Sequence, residues 1–266
     1  MIDIGVNLSN SRFAKDIPET LRRAQKAGVE KLVLTGTSIE ESQAVLELCQ
    51  NYNETFAEML YATAGIHPHD ASSLNSESIN RLRELAAQPQ VVALGEMGLD
   101  FNRNFSTPRE QEKAFEAQLE LAAELKLPVF LHERDAADRQ LQIISSYRDH
   151  LADAVIHCFT GSKQALFGYL DLNMYIGITG WICDEKRGQA LQQLVRNIPL
   201  KRLMVETDAP YLLPKNMPEP PKGKRNEPAF LNWVIDGIAK HRDESSEQIA
   251  MATTKNALAF FRLDNS

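Results

Sequence analysis

The sequence predicts a TIM (β/α)8 barrel of the metal-dependent hydrolase type, and three observations lead to this prediction. Eight short apolar segments recur along the 266 residues, and helical patterns separate them. The segments are almost continuously hydrophobic, as expected for parallel strands that are covered on both faces. Polar side chains follow the ends of several segments, where a parallel barrel places its active site. An open doubly wound sheet is the rival architecture, but the repeat is even and no Gly-rich dinucleotide fingerprint is present.

The predicted strands cover residues 2–8, 30–35, 62–66, 91–96, 129–132, 154–159, 174–179 and 203–207. We expect one barrel domain over residues 1–266, because no linker-like boundary interrupts the pattern. The proline-rich stretch 214–228 is predicted to form a long loop after the eighth strand. The polar tail after Leu263 is predicted to fray.

Capping residues mark two of the predicted helices. Ser38 and Glu41 have the spacing of a capping box, and the apolar stripe of the helix that follows consists of Val45, Leu48, Cys49 and Tyr52. Thr107 and Glu110 have the same spacing, with a proline at the first helical position between them. Gly28 is placed to end a helix just before the second strand.

Charge and cysteine content restrict the class of protein. The formal net charge is -7, which disfavours a protein that coats long nucleic acid but allows a local basic rim or a bound cation. The three cysteines form no CxxC pair, which favours a reducing compartment. The N-terminus lacks signal-peptide features, and no apolar run reaches membrane-spanning length. We therefore expect a cytoplasmic protein without membrane contact.

Titratable residues stand at the ends of the predicted strands. Glu96 and His132 are 36 residues apart, His132 and His157 are 25 apart, and His157 and Asp208 are 51 apart. The first two steps correspond to one β/α unit each and the last to about two. In a barrel, all four side chains would point into the mouth at the carboxyl ends of the strands.

Two imidazoles and two carboxylates in one cleft predict a site for a divalent metal ion. Glu206 and Asp208 stand together after the eighth strand, and burying two carboxylates is costly unless a cation meets them. The imidazoles favour Zn²⁺ or Mn²⁺ over Mg²⁺. Each histidine alone has a structural interpretation as a hydrogen-bonded core residue, and only their joint placement favours a site.

Four segments carry a family resemblance: GEMGLDF, LHERD, HCFTG and ETDAPYLLP, in this order and spacing. Together they resemble the signatures of the TatD-type metal-dependent deoxyribonucleases, over nearly the whole chain. The resemblance implies a cytoplasmic, Mg²⁺-dependent 3′→5′ exonuclease that acts on single-stranded DNA and RNA ends. Repair of damaged DNA is a natural role for such an activity, although no residue in the sequence identifies it.

The resemblance also implies roles for individual residues. Glu96, His132 and His157 match metal ligands, and Asp208 matches an aspartate at the metal that orients or deprotonates water. Glu206 matches the neighbouring acid, for which an alternative is a structural ion pair with Arg134 or another cation. The histidines of the GIHPH stretch, His67 and His69, match residues that hold substrate phosphate or support the site, and a plain turn is the alternative.

One departure concerns the first strand. Many relatives carry Asp-x-His-x-His there, which supplies two ligands to a second metal, whereas this chain has Asp3, Gly5 and Asn7 at those positions. Gly5 offers no ligand, and Asn7 offers only a weak carbonyl oxygen. We therefore expect one firmly bound ion, with any second ion depending on substrate phosphates.

Substrate contacts are expected from cations and aromatic rings near the strand ends. The predicted contacts are Arg134, Trp181 and Arg225, and the wider sets are Arg103, Lys186, Arg187, Lys222 and Lys224 for phosphates and Phe101, Phe105, Phe159 and Tyr211 for bases. Asp100 is a candidate acceptor that orients a histidine or an arginine. Cys158 is predicted to turn into the core. We expect a monomer without an obligate protein partner.

Two other functions remain open from the sequence. An amidohydrolase-type amidase or lactonase would share the barrel and the metal, but such enzymes generally use the missing His-x-His pair and often a modified lysine. A non-catalytic binding protein on the same barrel is the second alternative. Retention of the other site residues in one chain argues against it.

Overall fold

The computed structural model describes residues 1–263, and a closed parallel sheet lies at its centre. The strands are Ile2–Val6 (β1), Lys31–Leu34 (β2), Leu60–Ala64 (β3), Val91–Asp100 (β4), Val129–Arg134 (β5), Ala154–Ile156 (β6), Tyr175–Ile178 (β7) and Leu203–Val205 (β8). Each strand pairs in parallel with the next one along the chain. This order confirms the predicted alternation of strands and helices.

The barrel closes where the chain beyond β8 meets β1. Val6 and Ala209 form a parallel bridge, and the Asn7 N–H donates to the Ala209 carbonyl at 2.8 Å. The Asp208 N–H donates to the Gly5 carbonyl at 2.9 Å. These contacts continue the ladder across the seam and confirm the predicted TIM barrel.

Nine α-helices surround the sheet within residues 1–263, and none of them combines the length and apolarity needed to cross a membrane. They are Ile17–Lys26 (α1), Ile39–Tyr52 (α2), Ser76–Ala86 (α3), Pro108–Leu125 (α4), Ala137–Tyr147 (α5), Lys163–Asp171 (α6), Gln189–Leu194 (α7), Leu231–Ala239 (α8) and Ser246–Phe261 (α9). The loop predicted over 214–228 is confirmed up to residue 227, and Pro228 begins a short 3-10 helix that ends at Phe230. The predicted frayed tail falls on residues outside the described range.

The predicted caps are confirmed with one exception. The Thr107 and Glu110 side chains form both halves of the capping box of α4. Ser38 caps α2 by accepting from the Glu41 N–H at 3.1 Å, but the Glu41 carboxylate accepts from the Ser9 hydroxyl instead of reaching back. A tertiary hydrogen bond thus replaces the second half of that box.

The base of the barrel, where the strands begin, is sealed by α9. Phe260 and Phe261 join the apolar cluster of barrel residues such as Ile2 and Ile4, and Phe260 packs edge-on against Tyr175 at a centroid distance of 5.4 Å. The centre of this end is filled with apolar side chains, and the predicted site residues lie at the opposite end.

Candidate metal centre

A cavity of about 740 Å³ lies at the carboxyl ends of the strands. Among its lining residues are eight of the predicted site residues: His67, His69, Glu96, His132, Arg134, His157, Trp181 and Asp208. Two predicted site residues, Glu206 and Arg225, do not line it. The cavity therefore gathers side chains from β3 through β8 in one place.

Glu96 is the hub of this cavity. Its Oε1 atom lies 2.9 Å from His132 Nδ1, 2.9 Å from His157 Nε2 and 3.3 Å from His67 Nε2. Burial alone would raise the pKa of Glu96, but the surrounding imidazoles outweigh it and hold this pKa well below its usual range. Glu96 is therefore a carboxylate, which is the form that binds a metal ion.

An irregularity in β4 directs Glu96 into the cavity. The register between β4 and β5 shifts between Leu94 and Met97, as at a β-bulge. Gly95 supplies a φ of +133°, and a Cβ atom there would lie 2.1 Å from the Phe130 carbonyl oxygen. Only glycine fits this backbone, so Gly95 allows the bend that points the Glu96 carboxylate into the cavity.

Potential ligand atoms of His67, Glu96 and His132 all lie within 4.8 Å of one another, a spacing compatible with a shared ion. His132 Nε2 is buried and makes no hydrogen bond of good geometry within residues 1–263, although Asp100 Oδ2 lies 3.5 Å from it. A buried nitrogen with so long a contact is poorly satisfied, and a metal ion would satisfy it. The residues present therefore fit a divalent cation.

Hydrogen bonds distinguish His157 from His67 as a ligand. Burial would lower the pKa of His157, but Glu96, 2.9 Å from Nε2, and Glu206, 3.2 Å from Nδ1, raise it well above its usual range. With a metal ion bound, a proton on Nδ1 facing Glu206 would leave the Nε2 lone pair for the ion. His67 Nδ1 instead accepts the His69 N–H at 3.1 Å, which places the proton of a neutral ring on Nε2. This tautomer makes His157 the better ligand and His67 a hydrogen-bond donor.

Glu206 is fully buried below the cavity, which argues against the predicted direct catalytic role. Its carboxylate contacts His157 Nδ1 through Oε2 and accepts the Cys158 N–H at 2.5 Å through Oε1. Two glycines make room for it: a Cβ atom would lie 2.2 Å from Oε2 at Gly5 and 2.9 Å from Oε1 at Gly177. Glu206 thus orients His157 from behind and is not in contact with Arg134.

Asp208 lies at the mouth of the barrel, and the side chain of Asn7 holds it in place. Asn7 Nδ2 donates to Asp208 Oδ1 at 2.9 Å, so its amide supplies a donor rather than the expected carbonyl ligand. Burial raises the pKa of Asp208 to about 7; His157 opposes this shift, and Glu206 and Glu96 add to it. A cation in the cavity would favour the ionised form of Asp208.

Asp100 has the predicted role of an acceptor that orients histidines. Its Oδ2 atom lies 2.7 Å from His69 Nε2 and 3.5 Å from His132 Nε2. The N–H groups of Asn102 and Arg103 donate to Oδ1. Burial works against the charge of Asp100, yet these donors and imidazoles keep its pKa below its usual range.

Two other expectations need correction. Arg225 is held by Asp16 and Glu227, with nitrogen–oxygen distances of 2.7 Å, so the structure does not support the predicted substrate contact. Cys158 lines the cavity instead of turning into the core, because its φ of +46° breaks the strand alternation after Ile156. The prediction for Arg225 missed ion pairs that include a residue distant in sequence. The prediction for Cys158 missed that β6 ends before this residue.

The rim residues divide into those that face the cavity and those that do not. Arg103, Arg187 and Tyr211 line it together with Arg134 and Trp181. Lys186 lines a different cavity, Phe159 is buried, and neither Lys222 nor Lys224 lines this one. Phe105 is exposed and packs edge-on against His69.

Comparisons with known proteins identify the family of this chain. Residues 2–262 match the family model described as TatD related DNase. The chain is 49% identical over 263 residues to a protein of Salmonella typhimurium named 3′-5′ ssDNA/RNA exonuclease TatD, covering 99% of both chains. It is 51% identical over 261 residues to a protein of the same name from Citrobacter rodentium, covering 98% of this chain and 97% of that one.

Solved structures show the same fold. A TatD homologue from Escherichia coli superimposes with a TM-score of 0.87 at 30% identity, and 98% of each chain is covered. A TatD-family hydrolase from Entamoeba histolytica reaches a TM-score of 0.90 at 24% identity, which supports the fold alone. The family model and these relatives span nearly the whole chain, and the chain belongs to the TatD related DNase family.

Proposed function

We propose that the protein is a metal-dependent 3′→5′ exonuclease that hydrolyses terminal phosphodiesters of single-stranded DNA and RNA. The observation that carries the proposal is the convergence of Glu96, His132, His157 and Asp208 on one cavity in a chain of this family. The printed activity of relatives about half identical over the full length supports the reaction and the substrate.

Glu96, His132 and His157 would hold the ion, with Asp208 beside it. A divalent ion held there would polarise a phosphoryl oxygen and lower the pKa of a bound water. We propose Mg²⁺ as the ion, from the family resemblance, with Mn²⁺ and Zn²⁺ as alternatives that suit the imidazoles better. We propose one firmly bound ion, because Gly5 offers no ligand and the Glu206 carboxylate occupies the space beside it, and any second ion would depend on substrate phosphates.

The chain's own residues have separate tasks in the reaction. Asp208 takes the proton from the attacking water, and Asn7 fixes its orientation through Oδ1. The water oxygen bonds to phosphorus while the bond to the 3′ oxygen breaks, and the leaving 3′ oxygen takes a proton from water or a nearby histidine, which releases a 5′-mononucleotide. His67, with its proton on Nε2, and His69, oriented by Asp100, hold the phosphate oxygens through hydrogen bonds.

Trp181 and Arg134 supply stacking and charge for a single strand. The three cysteines in residues 1–263 are free thiols, which supports the expected cytoplasmic location. We propose that the protein acts as a monomer without an obligate protein partner. Repair of damaged DNA ends remains a proposal about the biological role.

The test is digestion of a 5′-labelled single-stranded oligonucleotide with Mg²⁺, Mn²⁺, Zn²⁺ or EDTA. We expect a metal-dependent ladder that shortens from the 3′ end. His157→Ala should lose it, whereas His150→Ala, at an exposed histidine outside the cavity, should keep it. An intact oligonucleotide with every ion would refute the proposal and favour the amidohydrolase or binding-protein functions.

The Asp208→Asn variant tests the general-base role of Asp208 separately from metal binding. General-base catalysis contributes about 10²- to 10⁴-fold, so turnover should fall by that factor while metal affinity changes less. Asp171→Asn, at an exposed aspartate outside the cavity, is the matched control. Near-normal turnover in Asp208→Asn would exclude the role assigned to Asp208.

A further inference from the structure

A second cavity of about 570 Å³ adjoins the metal-centre cavity. The two cavities share a wall that consists of Glu133, Arg134, Thr160, Trp181 and Arg187. These residues come from the ends of β5, β6 and β7, which are neighbours in the barrel. The second cavity therefore opens on the side of the rim opposite Asn7 and His67.

Trp181 is held rigidly in the shared wall. Its Nε1–H donates to the Arg187 carbonyl at 3.1 Å, and its ring lies under the Arg187 guanidinium at 4.4 Å from the centroid. Asp184 fixes that guanidinium at 2.7 Å and is itself bound by Lys215 at 2.8 Å. An aromatic face fixed in this way loses little entropy when a base stacks on it.

Arg134 is the unpaired cation of the shared wall. Its guanidinium is exposed and has no hydrogen-bond or ion-pair partner within residues 1–263. The neighbouring Arg139 and Arg187 are each paired with a carboxylate, Glu112 and Asp184 respectively. Arg134 is therefore the guanidinium of this wall that is available to a phosphate between the two cavities.

The rest of the second cavity suits a base better than a phosphate. Its acidic side chains include Asp135 and Asp138, which would repel an anion. Asn102 donates to Asp135 and Gln164 donates to Asp138, so both acids are already engaged by amides. Phe101 adds an apolar surface.

We propose that the second cavity binds the nucleotide on the 5′ side of the cleaved bond, with its base on Trp181. Arg134 then faces the cleaved phosphate itself, which joins this nucleotide to the terminal one in the metal-centre cavity. The inference rests on the proposed exonuclease function and assigns the direction in which the substrate strand leaves the cleft. Two adjoining cavities that are separated by one aromatic wall match two consecutive unpaired bases.

Three substrates test the assignment. The p-nitrophenyl ester of thymidine 5′-phosphate has no nucleotide on the 5′ side and reports the chemistry alone. An oligothymidylate and the same oligonucleotide with an abasic residue at the penultimate position differ only in the proposed stacked base. In the wild-type enzyme, the abasic residue should lower kcat/KM about 5- to 150-fold.

In Trp181→Ala, the ratio of kcat/KM between the two oligonucleotides should fall close to one. Trp233→Ala, at a tryptophan outside both cavities, should keep the wild-type ratio. Hydrolysis of the ester together with equal kcat/KM for both oligonucleotides in the wild type would overturn the inference, without any variant. A wild-type ratio that persists in Trp181→Ala would overturn it too. If none of the three substrates reacts with any ion, the proposed function itself fails.

Discussion

Replacing Gly5 by alanine tests whether Glu206 sets the geometry of the metal centre, because this change adds one methyl group and removes nothing. The added Cβ would lie 2.2 Å from Glu206 Oε2 and 3.4 Å from Phe130 Cζ. Carbon and oxygen atoms approach to about 3.3 Å in favourable contacts, so the carboxylate must move by about 1 Å. The barrel leaves little room for this, since Gly177 lies against the other oxygen.

A displacement of that size breaks the 3.2 Å contact between Glu206 and His157. Loss of such an orienting partner typically costs about 10- to 100-fold in metal affinity or activity, or about 1.4–2.7 kcal/mol. Overpacking itself costs about 1–3 kcal/mol of stability. Because domains unfold at about 5–15 kcal/mol, we expect Gly5→Ala to remain folded.

The assay is calorimetric titration of Mn²⁺ into metal-stripped protein, alongside hydrolysis of the p-nitrophenyl ester and urea unfolding. We expect Gly5→Ala to bind Mn²⁺ about 10- to 100-fold more weakly than the wild type. Gly223→Ala is the matched control, since no atom lies within 4 Å of the added methyl group there. Wild-type Mn²⁺ affinity and rate in Gly5→Ala would refute the positioning role of Glu206.

Three further predictions address other parts of the molecule. Asn7→Ala should lower kcat for the ester roughly 10-fold with a smaller change in KM, because the Asp208 carboxylate loses one hydrogen bond; an unchanged kcat would contradict the assigned role. Mn²⁺ at about 100 times its dissociation constant should raise the unfolding free energy by about 2.7 kcal/mol in the wild type, and Glu96→Gln should lose most of this gain in thermal melts. Hydrogen bonds from Arg225, supported by Arg23, lower the pKa of Asp16 from 3.8 to about 2. Asp16→Asn should therefore lower stability by about 1 kcal/mol at pH 7, and urea unfolding at a series of pH values should show this difference shrinking as the pH falls from about 4 towards 2.

The barrel could be predicted from the sequence because each β/α unit repeats the same local pattern. All eight predicted strands are present, and differences are confined to their ends. For example, β4 extends to Asp100, whereas β6 ends at Ile156 and β8 at Val205. Strand spacing also sufficed to bring Glu96, His132 and His157 together, since successive parallel strands end on the same rim.

Side-chain depth could not be predicted in the same way. Glu206 and Asp208 are two residues apart and share a face of the chain, yet one lies below His157 and the other at the mouth. Periodicity assigns a face but no layer within the barrel. The pairing of Arg225 with Asp16 depends on a contact across 209 residues, which charge patterns along the sequence do not reveal.

The unusual first strand is explained by the residues that it faces across the seam of the barrel. Asp3 accepts hydrogen bonds from the Thr207 N–H and hydroxyl at 2.9 and 2.5 Å. Two residues further, Gly5 leaves the space that the Glu206 carboxylate fills, and Asn7 donates to Asp208. A histidine at position 5 would collide with the Glu206 carboxylate in the position that it occupies here. The first strand therefore supports the site by leaving room for Glu206 and by hydrogen-bonding Asp208, and the proposed ligands come from β4 to β6.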